Sequence, residues 1–131
     1  MRLLLLIPTA AVLLSACKDE TISGYADSGA IWSLVELDGV AFPAEATLSF
    51  PEKGRIAGQA PCNSYSGSQS APYPWFETGP ILSTKRACAD MNAEATFFTA
   101  LSVMRIAEVS GSTLILSNED GREMVFTSLP R

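Results

Sequence analysis

The sequence predicts an α+β domain: an antiparallel sheet, curled or partly barrel-like, packed on one helix and held by one disulfide. Three observations predict it. Short alternating apolar segments bounded by turn residues occupy both ends of the region from Ala30 to Arg131, and a single helical period (Phe97, Phe98, Leu101, Met104) lies between them. Two cysteines, Cys62 and Cys88, flank its middle. About a hundred residues suffice for one core and are too few for two. So many strands in that length favour a curled sheet that protects its edges.

Residues 1–16 have a task separate from the fold. Met1-Arg2 is a short positive start, and Leu3 to Leu14 is apolar apart from Thr9 and interrupted by Pro8. That is shorter than the roughly 20 residues a spanning helix needs. The run ends in Leu14-Ser15-Ala16-Cys17, which resembles the lipobox of bacterial lipoproteins. The resemblance implies a cleaved leader, with Cys17 acylated and then the mature N-terminus; an ordinary secretory leader with an incidental cysteine is the alternative. Buried acyl chain contributes roughly 0.8 kcal/mol per CH₂, so two or three chains hold a protein on a membrane where one does not. Lys18, rather than Asp, follows the cysteine, which by the lipoprotein sorting rule implies the periplasmic face of the outer membrane.

Lys18 to Gly29 is polar and glycine-punctuated, and residues 17–29 read as an acylated N-terminus and tether. As a flexible coil it would hold the domain roughly 20 Å from the bilayer. A short first strand through Ile22 and Tyr25 is the alternative. The formal charge is −5 and becomes −6 when Arg2 leaves with the leader. This balance argues against nucleic acid and against charge-driven binding to anionic lipid.

Acylation of Cys17 would leave Cys62 and Cys88 as one pair in an oxidising compartment. A metal site or reactive thiol competes with that pairing, but the chain has no histidine and no Cys-x-x-Cys spacing.

From Ala30 the elements follow in order. Ile31 to Leu37 is a strand with Ile31, Ser33, Val35 and Leu37 on one face and Trp32, Leu34 and Glu36 on the other, expected to be buried on much of both. Asp38-Gly39 is a type I′ hairpin signal, returning Val40 to Phe42 antiparallel. Ala46 to Phe50 alternates, Pro51 to Gly54 turns, and Arg55 to Gln59 is the expected hairpin partner. Asn63 to Ser70, rich in Ser and Gly, reads as a loop, and the prolines of Ala71 to Phe76 make it an edge segment. Ile81 to Ser83 is a short strand. Asp90 can cap the helix, Glu94 sits in its first turn, and the helix ends near Val103. Arg105 to Val109, Thr113 to Ser117 and Glu123 to Leu129 close the chain as three antiparallel strands.

Gly58-x-x-x-Cys62-Asn63-x-Tyr65-x-Gly67, Ser83-Thr84-x-x-Ala87-Cys88, Glu94-x-x-Phe97-Phe98-x-x-Leu101 and Leu114-x-Leu116, with Trp32 and the Leu37-Asp38-Gly39 turn upstream, resemble the META domain family, HslJ-like, over about Ile31 to Phe126. Pro61, Gln69 and Arg86 depart from its usual pattern. The resemblance implies envelope lipoproteins linked to heat response and novobiocin resistance, with no established reaction. It gives Cys62 and Cys88 as the bridge, Asn63 as a turn former, Gly67 as a positive-φ position and Thr84 as a backbone hydrogen-bonder. Asn63, Tyr65, Gly67, Thr84 and Trp75 are the candidate surface or binding residues, because a stapled loop can present an amide and an aromatic ring with little ordering cost. An Asx-turn for Asn63 and a core-edge ring for Tyr65 are the structural alternatives.

Without histidine, nucleophilic chemistry would need a Ser-Lys pair such as Ser83-x-Lys85, a weak signal, or paired carboxylates. Asn118-Glu119-Asp120-Gly121 lacks the spaced ligands of a calcium loop, and no metal or cofactor is expected. The expected function is therefore non-enzymatic: a monomeric envelope lipoprotein, anchored through Cys17, that binds an envelope protein or small ligand in a stress or heat response. The alternative is an inhibitor of a secreted lysozyme or protease, for which Ser64 to Pro74 would have to project as a rigid loop.

Overall fold

The computed structural model describes residues 18–129, so the leader and the proposed acylation site at Cys17 lie outside the described residues. In chain order the domain contains a 3₁₀ turn Ile22–Gly24, then β1 (Trp32–Leu37), β2 (Val40–Ala41), β3 (Thr47–Leu48), β4 (Arg55–Gln59), β5 (Ser64–Ser68) and β6 (Leu82–Ser83). The helix α1 (Met91–Val103) follows, then β7 (Ile106–Ser110), β8 (Thr113–Ser117) and β9 (Glu123–Ser128). The strands form two open antiparallel sheets: β2-β1-β9-β8-β7, with β3 also paired to β1, and β4-β5-β6. A bridge between Ser49 and Ala57 links them, so the predicted curled sheet is divided in two and does not close.

The C-terminal meander forms as its alternation dictates. Leu114, Leu116, Met124 and Phe126 point into the core, paired across β8 and β9 as Leu114 with Phe126 and Leu116 with Met124. Helix α1 covers this core with Phe97, Ala100 and Leu101, and stops at Val103 as predicted. Its Phe97 ring lies 6.4 Å from Phe42, just past β2 of the first sheet, and 5.6 Å from Tyr65 in the second, so one aromatic touches both sides.

Asp38 and Gly39 adopt φ of 52° and 79°, the positive values a type I′ turn requires. The Asp38 carboxylate then accepts hydrogen bonds from the Arg122 side chain and the Glu123 N–H, each at 3.0 Å. The Arg122 bond, aided by the Glu123 amide, holds the Asp38 carboxyl below its ordinary range. A depressed folded-state pKa contributes stability that is present above the unfolded value and lost as pH falls through the folded one. Asp38→Asn is therefore expected to be less stable than wild type at neutral pH. In thermal melts the gap should close as pH falls below about 4, the ordinary carboxylate value; a constant gap would contradict it.

Five expectations change. Strand β1 carries a bulge between Leu34 and Glu36, which turns Leu37 to the core beside Trp32 and Leu34, while Ile31 and Val35 are exposed. Arg55 to Gln59 shares only a single backbone bridge, Ser49–Ala57, with the preceding strand, because its ladder partner is β5. Ser64 to Ser68 is the central strand of the small sheet rather than a loop: its small residues fit between two strands whose backbones satisfy it. Asp90 occupies the N-cap position but makes no side-chain cap bond.

The fifth is the N-terminal tether. Thr21, Ile22 and Ala26 are buried, and Tyr73 N–H donates to the Glu20 carbonyl at 2.7 Å. The segment buries Ile22 and recovers its backbone bonds in a 3₁₀ turn, so it is neither a free coil nor a strand.

Gly58 has a packing reason. A Cβ there would fall well inside contact distance of the Thr47 carbonyl oxygen and 2.8 Å from the Tyr65 hydroxyl. Gly58→Ala must push β3 off β4 and is expected to cost about 1–3 kcal/mol, the usual range for overpacking. Urea denaturation checks this, and an unchanged midpoint would refute it.

Candidate functional site

The site grows from the staple. Cys62 and Cys88 are bonded with Cα atoms 5.6 Å apart, which draws the segment after β6 over the start of β5 and the first turn of α1. Asn63, buried beneath it, uses its whole amide. Nδ2 donates to the Arg86 carbonyl at 3.0 Å and to Glu94 Oε2 at 2.8 Å; Oδ1 accepts from Thr84 Oγ1 at 2.8 Å and Arg86 N–H at 2.6 Å. Two donors and two acceptors are all that a carboxamide has.

Glu94 is the second half of this knot. It is only 5% exposed, and Oε1 accepts from the backbone N–H groups of Cys62 at 3.0 Å and Asn63 at 2.8 Å. It stands in the first turn of α1. With three donors it is a satisfied group, both of its oxygens engaged within the fold.

Tyr65, on β5, is likewise committed. It is 4% exposed, donates its hydroxyl to the Thr47 carbonyl at 2.5 Å, and stands edge-on to Phe98 at 5.5 Å. Burial pushes its phenol well above the ordinary range, which removes it as a base.

The predicted site residues therefore separate. Asn63 and Tyr65 are buried internal ties rather than a presented surface; Asn63 is no Asx-turn former, and Thr84, although exposed, spends its hydroxyl on the Asn63 side chain. Gly67 lies in β5 opposite Ile56 and is not among the positive-φ glycines, so its predicted backbone role is wrong. Trp75 is displayed, 56% exposed. Ser83 is in the β6 ladder and Lys85 is exposed beyond it. Ser64 to Pro74 offers no projecting loop, since it runs through a central strand and then along the edge of β7, where the Ala107 N–H meets the Pro74 carbonyl at 2.7 Å.

Surface depressions remain among the described residues. A cleft of about 580 Å³ opens beside Trp75, lined also by Val103, Ile106, Glu77, Arg105 and Glu119. A groove of about 440 Å³ lies between the β1–β2 hairpin and the start of α1, and one of about 360 Å³ lies over the Asn63–Glu94 knot. The first is within the size range of small-ligand sites and has the exposed ring such sites use. Among the described residues, no group of three or more His, Cys, Asp or Glu side chains could hold a metal ion, and no helix is long and apolar enough to cross a membrane.

Glu94 and Gln69 are the residues that sequence reasoning missed. Glu94 shares the helical stripe of Phe97, Phe98 and Leu101, and a carboxylate on an apolar face signals a buried partner. Gln69 is 1% exposed; its carbonyl accepts from Ala71 and Glu77 N–H and its amide donates to the Ala71 carbonyl. Arg86 contributes its backbone carbonyl and N–H to the knot.

A family model described as META domain matches residues 28–130. No curated protein matches the chain. A protein from Burkholderia xenovorans, solved by NMR, is similar at 20% identity and TM-score 0.67, with 95% of this chain and 100% of that chain covered. A DUF4847 family protein from Bacteroides vulgatus is similar at 13% identity and TM-score 0.64, with 81% and 96% covered. At these identities the likeness is one of fold.

Proposed function

We propose, from the premise that this chain belongs to the META domain family, that it is a non-enzymatic envelope lipoprotein which binds another envelope component through the cleft beside Trp75. The observation that carries the reading is the division of labour among its distinctive residues. Cys62, Asn63, Tyr65, Cys88 and Glu94 are consumed in holding the fold, whereas Trp75 stands exposed at a cleft. A bulky ring left in water on a stapled scaffold favours recognition over chemistry. The lipobox-like Leu14-Ser15-Ala16-Cys17 supports anchoring to a membrane, and Lys18 supports the periplasmic face of the outer membrane. A stress or heat-response role is the physiological setting that fits this anchor and family.

Two measurements test this. Labelled palmitate should enter the wild-type protein and not Cys17→Ser; equal labelling of both would remove the anchor. A photo-crosslinking residue at position 75 should yield a discrete adduct in cells, and the same residue at exposed Glu108 should not. No adduct from position 75, or the same adduct from both, would refute binding at the cleft.

A further inference from the structure

We propose that the domain sits flush on the bilayer, with the face formed by Lys18, Gly24 and Tyr25 resting on the lipid headgroups. The proposal rests on acylation of Cys17, as argued above. A tether of coil would leave the domain's orientation free, but this segment is built into the fold within two residues of Cys17. The Asp19 carboxylate accepts from Thr21 N–H at 2.9 Å and from the hydroxyls of Thr21 and Ser23. Those hydroxyl and amide bonds outweigh burial and lower the Asp19 pKa, so the group is an anion closing a turn. The turn closes so tightly on Gly24 that a Cβ there would collide with the Asp19 carbonyl. Ile22, 1% exposed, then pins it to the core.

Two residues of extended chain reach at most about 7 Å, so an acylated Cys17 cannot stand farther than that from Asp19. The surface beside this exit has the chemistry of a membrane interface. Tyr25 is 47% exposed, stacks on Tyr73 with ring centroids 4.4 Å apart, and lies 5.9 Å from the Lys18 ammonium. Tyrosine and lysine are the side chains that pair an apolar body with a headgroup-seeking tip. Tyr73 accepts the Val109 N–H at 3.0 Å, which places this face near the β7–β8 turn. The Asn118–Gly121 turn, whose Glu119 lines the Trp75 cleft, lies at the other end of those strands. The bilayer would therefore hold one end of the sheet and the cleft would open away from it.

The test uses the full acylated protein, its Cys17 modification read by intact mass, in phosphatidylcholine vesicles with acyl chains brominated near the carbonyl. In a Trp75→Phe background, where the remaining Trp32 is buried, a Tyr25→Trp probe should lose about half its emission or more relative to unbrominated vesicles, as an interfacial indole would. A Glu119→Trp probe should be unchanged. A six-residue Gly-Ser insertion between Lys18 and Asp19 should restore the Tyr25→Trp emission without altering the melting temperature. Acylated protein whose two probes respond alike, or whose insertion leaves the quenching intact, would overturn the flush orientation and leave the lipoprotein reading standing. Absence of the acyl mass on Cys17 would overturn both.

Discussion

Glu94→Ala is expected to lower the stability of the domain by about 3–5 kcal/mol, because it strands two buried donors and one half-buried donor whose desolvation costs about 1–3 kcal/mol each, moderated by partial access of water. The donors are the N–H groups of Cys62 and Asn63 and the Asn63 side-chain amide. Against a typical total of about 5–15 kcal/mol, that loss takes a large share of the folded state's margin. Urea denaturation measures it, and a loss below about 1 kcal/mol would show that water substitutes freely for the carboxylate. Glu94→Gln sharpens the test. Its carbonyl can keep both backbone bonds, but its amide then faces the Asn63 amide, donor against donor. Combining it with Asn63→Asp restores one donor and one acceptor there, while the Arg86 carbonyl loses its bond. The double variant should therefore be more stable than the two single losses predict, with a coupling of about 1–2 kcal/mol. Strict additivity would mean that the two side chains do not act on one another.

Removing the Cys62–Cys88 bridge is the second large expectation. It closes a loop of sequence separation 26. The chain-entropy relation converts that loop into about 3.5 kcal/mol of destabilisation on reduction, by enlarging the unfolded ensemble. Folded protein should titrate no free thiol at these positions, and reductant should lower the unfolding midpoint. Two titratable thiols with an unchanged midpoint would remove the staple from the account. The bridge and the carboxylate serve one junction, since Cys62 carries both the sulfur and an N–H bonded to Glu94. Reduction in the Glu94→Ala background should accordingly cost less than in wild type.

The knot was half legible in the sequence. Cys62, Asn63, Thr84 and Cys88 stood out by spacing, and all four meet. Their roles were not legible, because an asparagine reads the same whether it turns a loop or ties three segments. Glu94 was legible as a first-turn acid and hidden as a buried acceptor, since its partners lie 31 and 32 residues away. Among the expected binding residues, Trp75 kept its exposure only because the flanking prolines hold its segment at the edge of β7, where the sheet ends.

What the sequence determined by itself is what short-range chemistry decides: the positive-φ turn at Asp38-Gly39, the limits of α1, and the three-strand meander that closes the chain. Each follows from a backbone preference or a side-chain period that neighbouring residues enforce. Tertiary structure decided the rest. It made a strand of the small polar residues Ser64–Ser68, bulged β1 so that Leu37 reached the core, and folded the N-terminal segment onto the domain through Ile22 and Asp19. In each case the deciding term is a hydrogen-bond partner or a covering face contributed from elsewhere in the chain. A local pattern carries no record of it.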